Sequence, residues 1–531
     1  MLDIIKTRPL LFLAVIVANI LLSAWCLSQD PVINNDGVTY IGIAKLIADG
    51  HWQQATEYYS WPYYPLLLAQ VSNILPSNLE SIAHGLNVFF IVLLSLGFIC
   101  TVGELDKYRL STDKSSSVLS QSNKECFKQS TSIILIAALT ILLFPSLTKY
   151  RSFIIRDFAY LSCYIWSLYF IFKYSISGRL SHLLCWLCLA VIGCLFRFES
   201  IAFVLLAPYF LFVIGKPSNK VQRPILVILF SLLASACIAI FWWYANDKYA
   251  ATIAYAQATG ENIDNLWDLF FSNLAGENNS AFTFGFFIQQ SAQNMGSVAY
   301  ELTRRMAVIY LVFAIIAFAK NLVLKDRSLK HIWLIYVLIN FLILFGFSFF
   351  NNFLVSRYTL ATALTLLLLC PFVIHQLIDY LRDSENLLNK GLIIFLFVVL
   401  LGISMERLNI ETNKLPLKKA GIWLAENAAP NARIFSTDKI IDYYAGRKVE
   451  DTERTRHSHR SLFDAYFSKQ IRSEDYIAFV ADFSIDSHIT MWQTFAYHFG
   501  LPIFEIKTDD KNSVLVYSHH RSNLKTLNLR Y

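Results

Sequence analysis

Up to residue 406 the chain is a succession of long apolar runs separated by short polar stretches. The runs fall at about 10–27, 86–103, 132–147, 158–175, 182–196, 200–215, 224–245, 306–319, 331–350, 358–379 and 391–406. They lie near the roughly 20 residues that cross a bilayer as a helix. The pattern predicts about eleven transmembrane helices over residues 1–406. From 407 to 531 the pattern changes to short alternating elements. Helices are expected near 420–426, 440–445 and 491–497, and strands near 432–436, 476–480, 501–506 and 514–517. Alternating strands and helices predict a small C-terminal α/β domain. The fold class is therefore a polytopic α-helical membrane protein with a C-terminal extracytoplasmic α/β domain.

Composition sharpens this. Of 531 residues, 56% are hydrophobic and only 16% charged, against about 25% charged in a typical soluble protein. So few charges cannot cover a soluble surface of this size. A soluble enzyme, a fibrous protein and a disordered chain are excluded. The net charge of +7 fits basic cytoplasmic loops better than a nucleic-acid partner. Sorted by alternating sides, eighteen Lys and Arg fall on the N-terminal side and nine on the other, leaving out the tail. That bias puts the N-terminus in the cytoplasm. The first run lacks a small-x-small cleavage site and is expected to stay as an anchor. With eleven spans the tail then faces out. The outer face holds a first loop (28–85), a loop at 246–305 and the tail. On the inner face, Ser111 to Ser122 reads as a flexible linker. No internal repeat is visible.

The tail contains no cysteine, so no disulfide framework holds it. Cys185-x-x-Cys188 has the spacing of a redox or metal pair but lies inside an apolar run, and reads as small packing residues. His457 and His459 stand among arginines without cysteines or paired carboxylates and read as a solvated loop. No metal site is expected.

The first outer loop opens with Asn34-Asn35-Asp36-Gly37, a turn with capping residues. A helix follows, with Tyr40, Ile41, Ala44, Ile47 and Ala48 on one apolar stripe, and Gly50 ends it. Asp36 stands at the start of that helix, just past the first span. It is either a capping aspartate or a carboxylate able to take a proton from an incoming hydroxyl. Trp61-Pro62-Tyr63-Tyr64-Pro65 then begins an aromatic, interfacial helix.

Three short outer turns carry charges that a bilayer protein would otherwise avoid: Arg156-Asp157, Arg197-Phe198-Glu199 and Arg357-Tyr358. Such groups snorkel, pair with one another, or face a polar cavity. Three of them on one face, together with Asp36, suit a phosphate. Arginine binds phosphate through its planar fork. It also stabilises a leaving phosphate as charge develops. One carboxylate takes the acceptor's proton; a second orients the acceptor or helps hold a cation.

These motifs resemble the GT-C membrane glycosyltransferases, in particular the protein O-mannosyltransferase and lipid A aminoarabinose transferase group. The likeness lies in Asp36 after the first span, Tyr40 four residues on, a helix ending in glycine, and Pro62-x-x-Pro65-Leu-Leu. It continues in Arg156-Asp157, loosely in Arg197-Phe198-Glu199, and in Arg357-Tyr358 opening a Leu-rich helix with Pro371. It covers most of residues 1–380, in order, and lacks a proline after Arg156. Trp423-Leu, Ala429-Pro-Asn-Ala-Arg433 and Tyr443-Tyr-Ala-Gly-Arg447 look similar to the outer C-terminal region of bacterial members.

The resemblance implies an inverting glycosyltransferase at the outer face of a bacterial inner membrane. It would move a sugar from a polyprenyl-phosphate donor to a lipid, glycan or protein acceptor. Asp36 and Asp157 would be the catalytic carboxylates; Tyr40, Arg156, Arg197, Glu199, Arg357 and Tyr358 would bind substrate. No cofactor is expected, a divalent cation being the one candidate. The tail would cap the site in the periplasm, and the loop 246–305 would border the sugar. A polysaccharide polymerase or ligase also uses such donors, but concentrates its arginines in long loops. A transporter would show ionisable groups at mid-bilayer and broken helices in both halves.

Overall fold

The computed structural model describes residues 7–116, 123–206, 284–351, 353–383, 385–406, 414–429, 432–447, 462, 466–467, 475–507 and 512–518. The chain divides into two compact units. The first comprises Met1–Leu22, Phe89–Lys149 and Arg156–Leu408; the second comprises Ser23–Val88, Tyr150–Ile155 and Asn409–Tyr531. The expected domain boundary at 406/407 falls beside the change of unit at 408, and the second unit also takes in most of the first loop.

The first unit is helical. Four helices of the protein are long and apolar enough to cross a membrane among the described residues: Pro9–Gln29, Leu79–Ser111, Arg327–Phe349 and Leu387–Glu406. Two bent pairs raise the number to six if each is one span: Gln289–Arg305 with Ile309–Ala319, bent by 100°, and Ser356–Leu367 with Cys370–Asp383, bent by 49°. The expected span at 224–245, and that at 200–215 beyond residue 206, lie outside the described residues.

The helix Asp157–Ser177 is largely enclosed, with fifteen of its 21 residues buried. Its sequence is apolar and aromatic on every face, as an interior helix requires. The hydroxyls of Ser162, Tyr164 and Ser167 find partners inside the unit, since lipid offers none. Tyr164 Oη meets Thr365 Oγ1 and accepts from Asn340 Nδ2 at 2.7 Å. Trp186 Nε1 donates to Tyr336 Oη at 2.7 Å. Gly97 permits close approach here: a Cβ at that position would lie 2.7 Å from Ile165 Cγ2.

Three expectations change. The helix Leu79–Ser116 runs well past 103, so the Ser-rich stretch is helical through Ser116; no Pro or Gly lies between Glu104 and Ser116. Residues 117–122 lie outside the described residues. The last 22 residues of the expected loop 246–305 form a helix, Phe284–Arg305, and 246–283 lies outside the described residues. Its polar surface hid it: Asn294 and Val298 are buried while Met295 and Tyr300 are exposed. It stops at Ala307 and Val308, whose φ values of 50° and 54° are left-handed. The expected span at 358–379 is bent beside Pro371, which lacks the N–H that a continuous helix needs.

In the second unit the helix Asn35–Ala48 ends at Gly50 with φ 83°. The helices Trp52–Tyr58 and Tyr63–Ile74 follow. Asn34 pins the segment 150–155: its Oδ1 accepts from the Ile154 N–H at 2.7 Å and its Nδ2 donates to the Ile154 carbonyl at 3.2 Å. Gly37 is required beside this contact, where a Cβ would stand 2.8 Å from Ile33 and 3.0 Å from Ile154.

The tail forms the α/β element that its pattern predicts. Strands β1 (Ile434–Ser436), β2 (Tyr476–Asp482), β3 (Phe504–Lys507) and β4 (Asn512–Ser518) lie in the order β1-β2-β4-β3. β1 is parallel to β2; β4 is antiparallel to both β2 and β3. β2 is central and nearly continuously buried, which explains its unbroken apolar sequence. Ile477, Phe479, Leu515 and Tyr517 pack with Met491 and Phe495 of the helix Asp486–Phe499. The helices Leu415–Asn427 and Lys439–Tyr444 meet at Gly421. Gly446, with φ 72°, follows the second of them.

Tail and first loop are tied together. Lys414 Nζ lies 3.2 Å from Asp30 Oδ2. Tyr443 donates to Glu80 Oε2 at 3.0 Å. Tyr444 Oη donates to Glu80 Oε1 at 3.5 Å and accepts from the Ile33 N–H at 3.2 Å.

Candidate functional site

The first unit gathers the charged turns. Asp157 opens its helix, where the N-terminal dipole favours a carboxylate, and Arg156 is the capping position before it. Arg197 terminates the helix Leu180–Phe196 in an extended conformation, and the turn Phe198–Ser200 follows. Arg357 and Tyr358 lie in the single turn Ser356–Thr359.

Arg197 is the hub. Its Nη1 donates to Asp157 Oδ1 at 2.8 Å, its Nη2 to Glu199 Oε1 at 2.8 Å and its Nε to Glu199 Oε2 at 3.3 Å. The Tyr358 ring centroid lies 3.9 Å from the guanidinium carbon, and that of Tyr160 lies 5.5 Å away. Arg357 Nε approaches Asp157 Oδ2 at 3.6 Å. Phe347 packs edge-on against Tyr358.

Burial would push the Glu199 carboxyl up, but the Arg197 guanidinium outweighs it. Hydrogen bonds and the Arg156 charge add to that effect, and the carboxyl is held down at about 2. Burial likewise disfavours the Arg197 cation, and the two carboxylates more than restore it, raising its pKa. Among the described residues, three guanidiniums act on two carboxylates here.

Of the residues read from the sequence, Asp157, Arg197, Glu199, Arg357 and Tyr358 come together, with the Arg156 charge acting on Glu199. Asp36 and Tyr40 belong to the second unit. Asn34 holds the cap position of the helix Asn35–Ala48, so Asp36 lies within the first turn, half-buried. The Tyr40 ring is buried, edge-on to Tyr59 and Tyr64 at 5.7 and 5.2 Å. Tyr160 was not among the expected site residues. Its signal is spacing: three residues after Asp157, it shares that helix face.

Cys185 and Cys188 are free thiols on the exposed side of their helix and do not pack the interior. Among the described residues no group of three or more His, Cys, Asp or Glu stands close enough to hold a metal ion. His457 and His459 lie outside the described residues. No family model matches this chain, and no curated protein matches it significantly.

Proposed function

We propose that this protein is a membrane glycosyltransferase of the GT-C type that uses a polyprenyl-phosphate sugar. The observation that carries the reading is the gathering of Arg156, Asp157, Arg197, Glu199 and Arg357, from three separate turns, at the ends of apolar helices. A polyprenyl-phosphate donor has the matching form: its tail dissolves in the bilayer and its phosphate stays at the surface. Guanidinium groups there hold the phosphate and stabilise the charge it gains as the glycosidic bond breaks.

A second observation supports the assignment of faces. The first loop, residues 150–155 and the tail were each expected outside. All three belong to one compact unit, as segments on one side of a membrane do. On this reading the N-terminus is cytoplasmic, and the tail is periplasmic and acts in acceptor binding. Asp36 is the base that takes the acceptor's proton. That role rests on the resemblance of its loop. Asp157, ion-paired with two arginines, orients rather than accepts a proton.

Both bent helix pairs bear on the transporter alternative, which uses broken helices. Among the described residues they lie in one half of the chain, between 289 and 383, whereas that alternative requires them in both. The test is sugar release from labelled polyprenyl-phosphate sugars by the full-length protein in proteoliposomes. Asp36→Asn is expected to abolish transfer at unchanged membrane levels. Full activity of that variant removes Asp36 as base, and flux of solute without transfer favours a transporter.

A further inference from the structure

Arg197 is more deeply buried than Arg357. Its side chain is 6% exposed, against 20% for Arg357. Three of its nitrogens bond two carboxylates, and two tyrosine rings lie over its guanidinium. An anion reaching Arg197 would first have to displace Asp157 or Glu199 and leave a buried carboxylate without its counter-charge, which is costly. Arg357 makes a longer contact, 3.6 Å, to the far oxygen of the same Asp157. Its neighbour Tyr358 is the ring stacked on Arg197.

We infer that Arg197 is a positioning residue that does not touch the donor's phosphate. It fixes Asp157 and Glu199; Asp157 then aims Arg357, and the Tyr358 ring on Arg197 holds the turn that carries Arg357. Arg357 is the guanidinium that meets the phosphate. The inference rests on the proposed function for the identity of that anion, and on the geometry for the division of labour. Of the three arginines that the sequence offers alike as phosphate partners, Arg197 thus serves Arg357.

The two roles differ in coupling. A residue acting through Arg357 has no effect left once Arg357 is gone; a residue in direct contact adds its own loss. They also differ in sign at Asp157. If Asp157 only sits near the phosphate, neutralising it strengthens anion binding. If it aims Arg357, neutralising it weakens binding.

The experiment measures polyprenyl phosphate binding to the full-length protein in nanodiscs. Wild type is compared with Arg357→Gln, Arg197→Lys, the double variant and Asp157→Asn. Lysine keeps the charge of Arg197 but cannot bridge both carboxylates. Arg357→Gln is expected to weaken binding at least tenfold. Arg197→Lys is expected to weaken it severalfold alone, and to add nothing to Arg357→Gln. Asp157→Asn keeps the shape of the site, so it gives the answer even if Arg197→Lys fails to fold; weaker binding is expected. Multiplicative losses in the double variant, or tighter binding by Asp157→Asn, overturn the positioning role and leave the functional reading standing. A wild type that binds no polyprenyl phosphate overturns both.

Discussion

Arg197 Nη1 stands 2.8 Å from Asp157 Oδ1, joining the end of one helix to the start of another forty residues earlier. Both side chains are almost fully buried. Removing one partner of such a pair leaves the other buried and uncompensated. That costs on the order of 3–5 kcal/mol. Arg197→Met is therefore expected to lower the thermal unfolding midpoint in detergent by several degrees or more. The double variant Arg197→Met/Asp157→Leu should recover part of the loss. An Arg197→Met protein as stable as wild type would show that the pair does not hold these helices.

Acid should loosen the same cluster. The Glu199 carboxyl is held down from 4.5 to about 2. Because the folded value is the lower one, its pairing stabilises the fold fully above about pH 4.5 and is lost as pH falls through about 2. The unfolding midpoint is expected to fall over that window, and to fall less in Glu199→Gln. Parallel curves for the two proteins would contradict the assignment.

Gly421 is placed so that a Cβ would stand 2.6 Å from the Ile441 carbonyl oxygen and 2.7 Å from Tyr444 Cβ. Gly421→Ala must push apart the helices Leu415–Asn427 and Lys439–Tyr444, at about 1–3 kcal/mol. Faster proteolysis after residue 406 at unchanged membrane levels is the expected result.

The ties between tail and first loop make a separate prediction. Glu80 accepts from both Tyr443 and Tyr444. Glu80→Leu removes the acceptor and leaves two half-buried hydroxyls to find water. Amide exchange around 439–444 is expected to accelerate about tenfold or more, since each lost hydrogen bond is worth roughly 0.5–1.5 kcal/mol. Unchanged exchange would mean that Lys414–Asp30 and apolar contacts hold the tail alone.

The tail was largely legible in the sequence because its strands are short, apolar and bounded by turns, and Gly446 marked a helix end. Apolar run length found Pro9–Gln29 and Leu387–Glu406. The same measure missed Phe284–Arg305, whose apolar face is diluted by Gln, Asn and Ser, and read it as loop. Charged turns pointed to Arg197, Glu199 and Arg357, and the Arg197–Glu199 pair follows from their closeness in the chain. That Asp157 takes both Arg197 and Arg357 could not be read, because helix packing decides it. Tyr160 was visible only as a helix neighbour of Asp157, and the Glu80–Tyr443 tie left no local mark at all.

The most direct test is a structure of the full-length protein with bound polyprenyl phosphate. The phosphate is expected on Arg357, with Arg197 still bonded to Asp157 and Glu199. A lipid phosphate seated away from these turns, or none at saturating lipid, would contradict it.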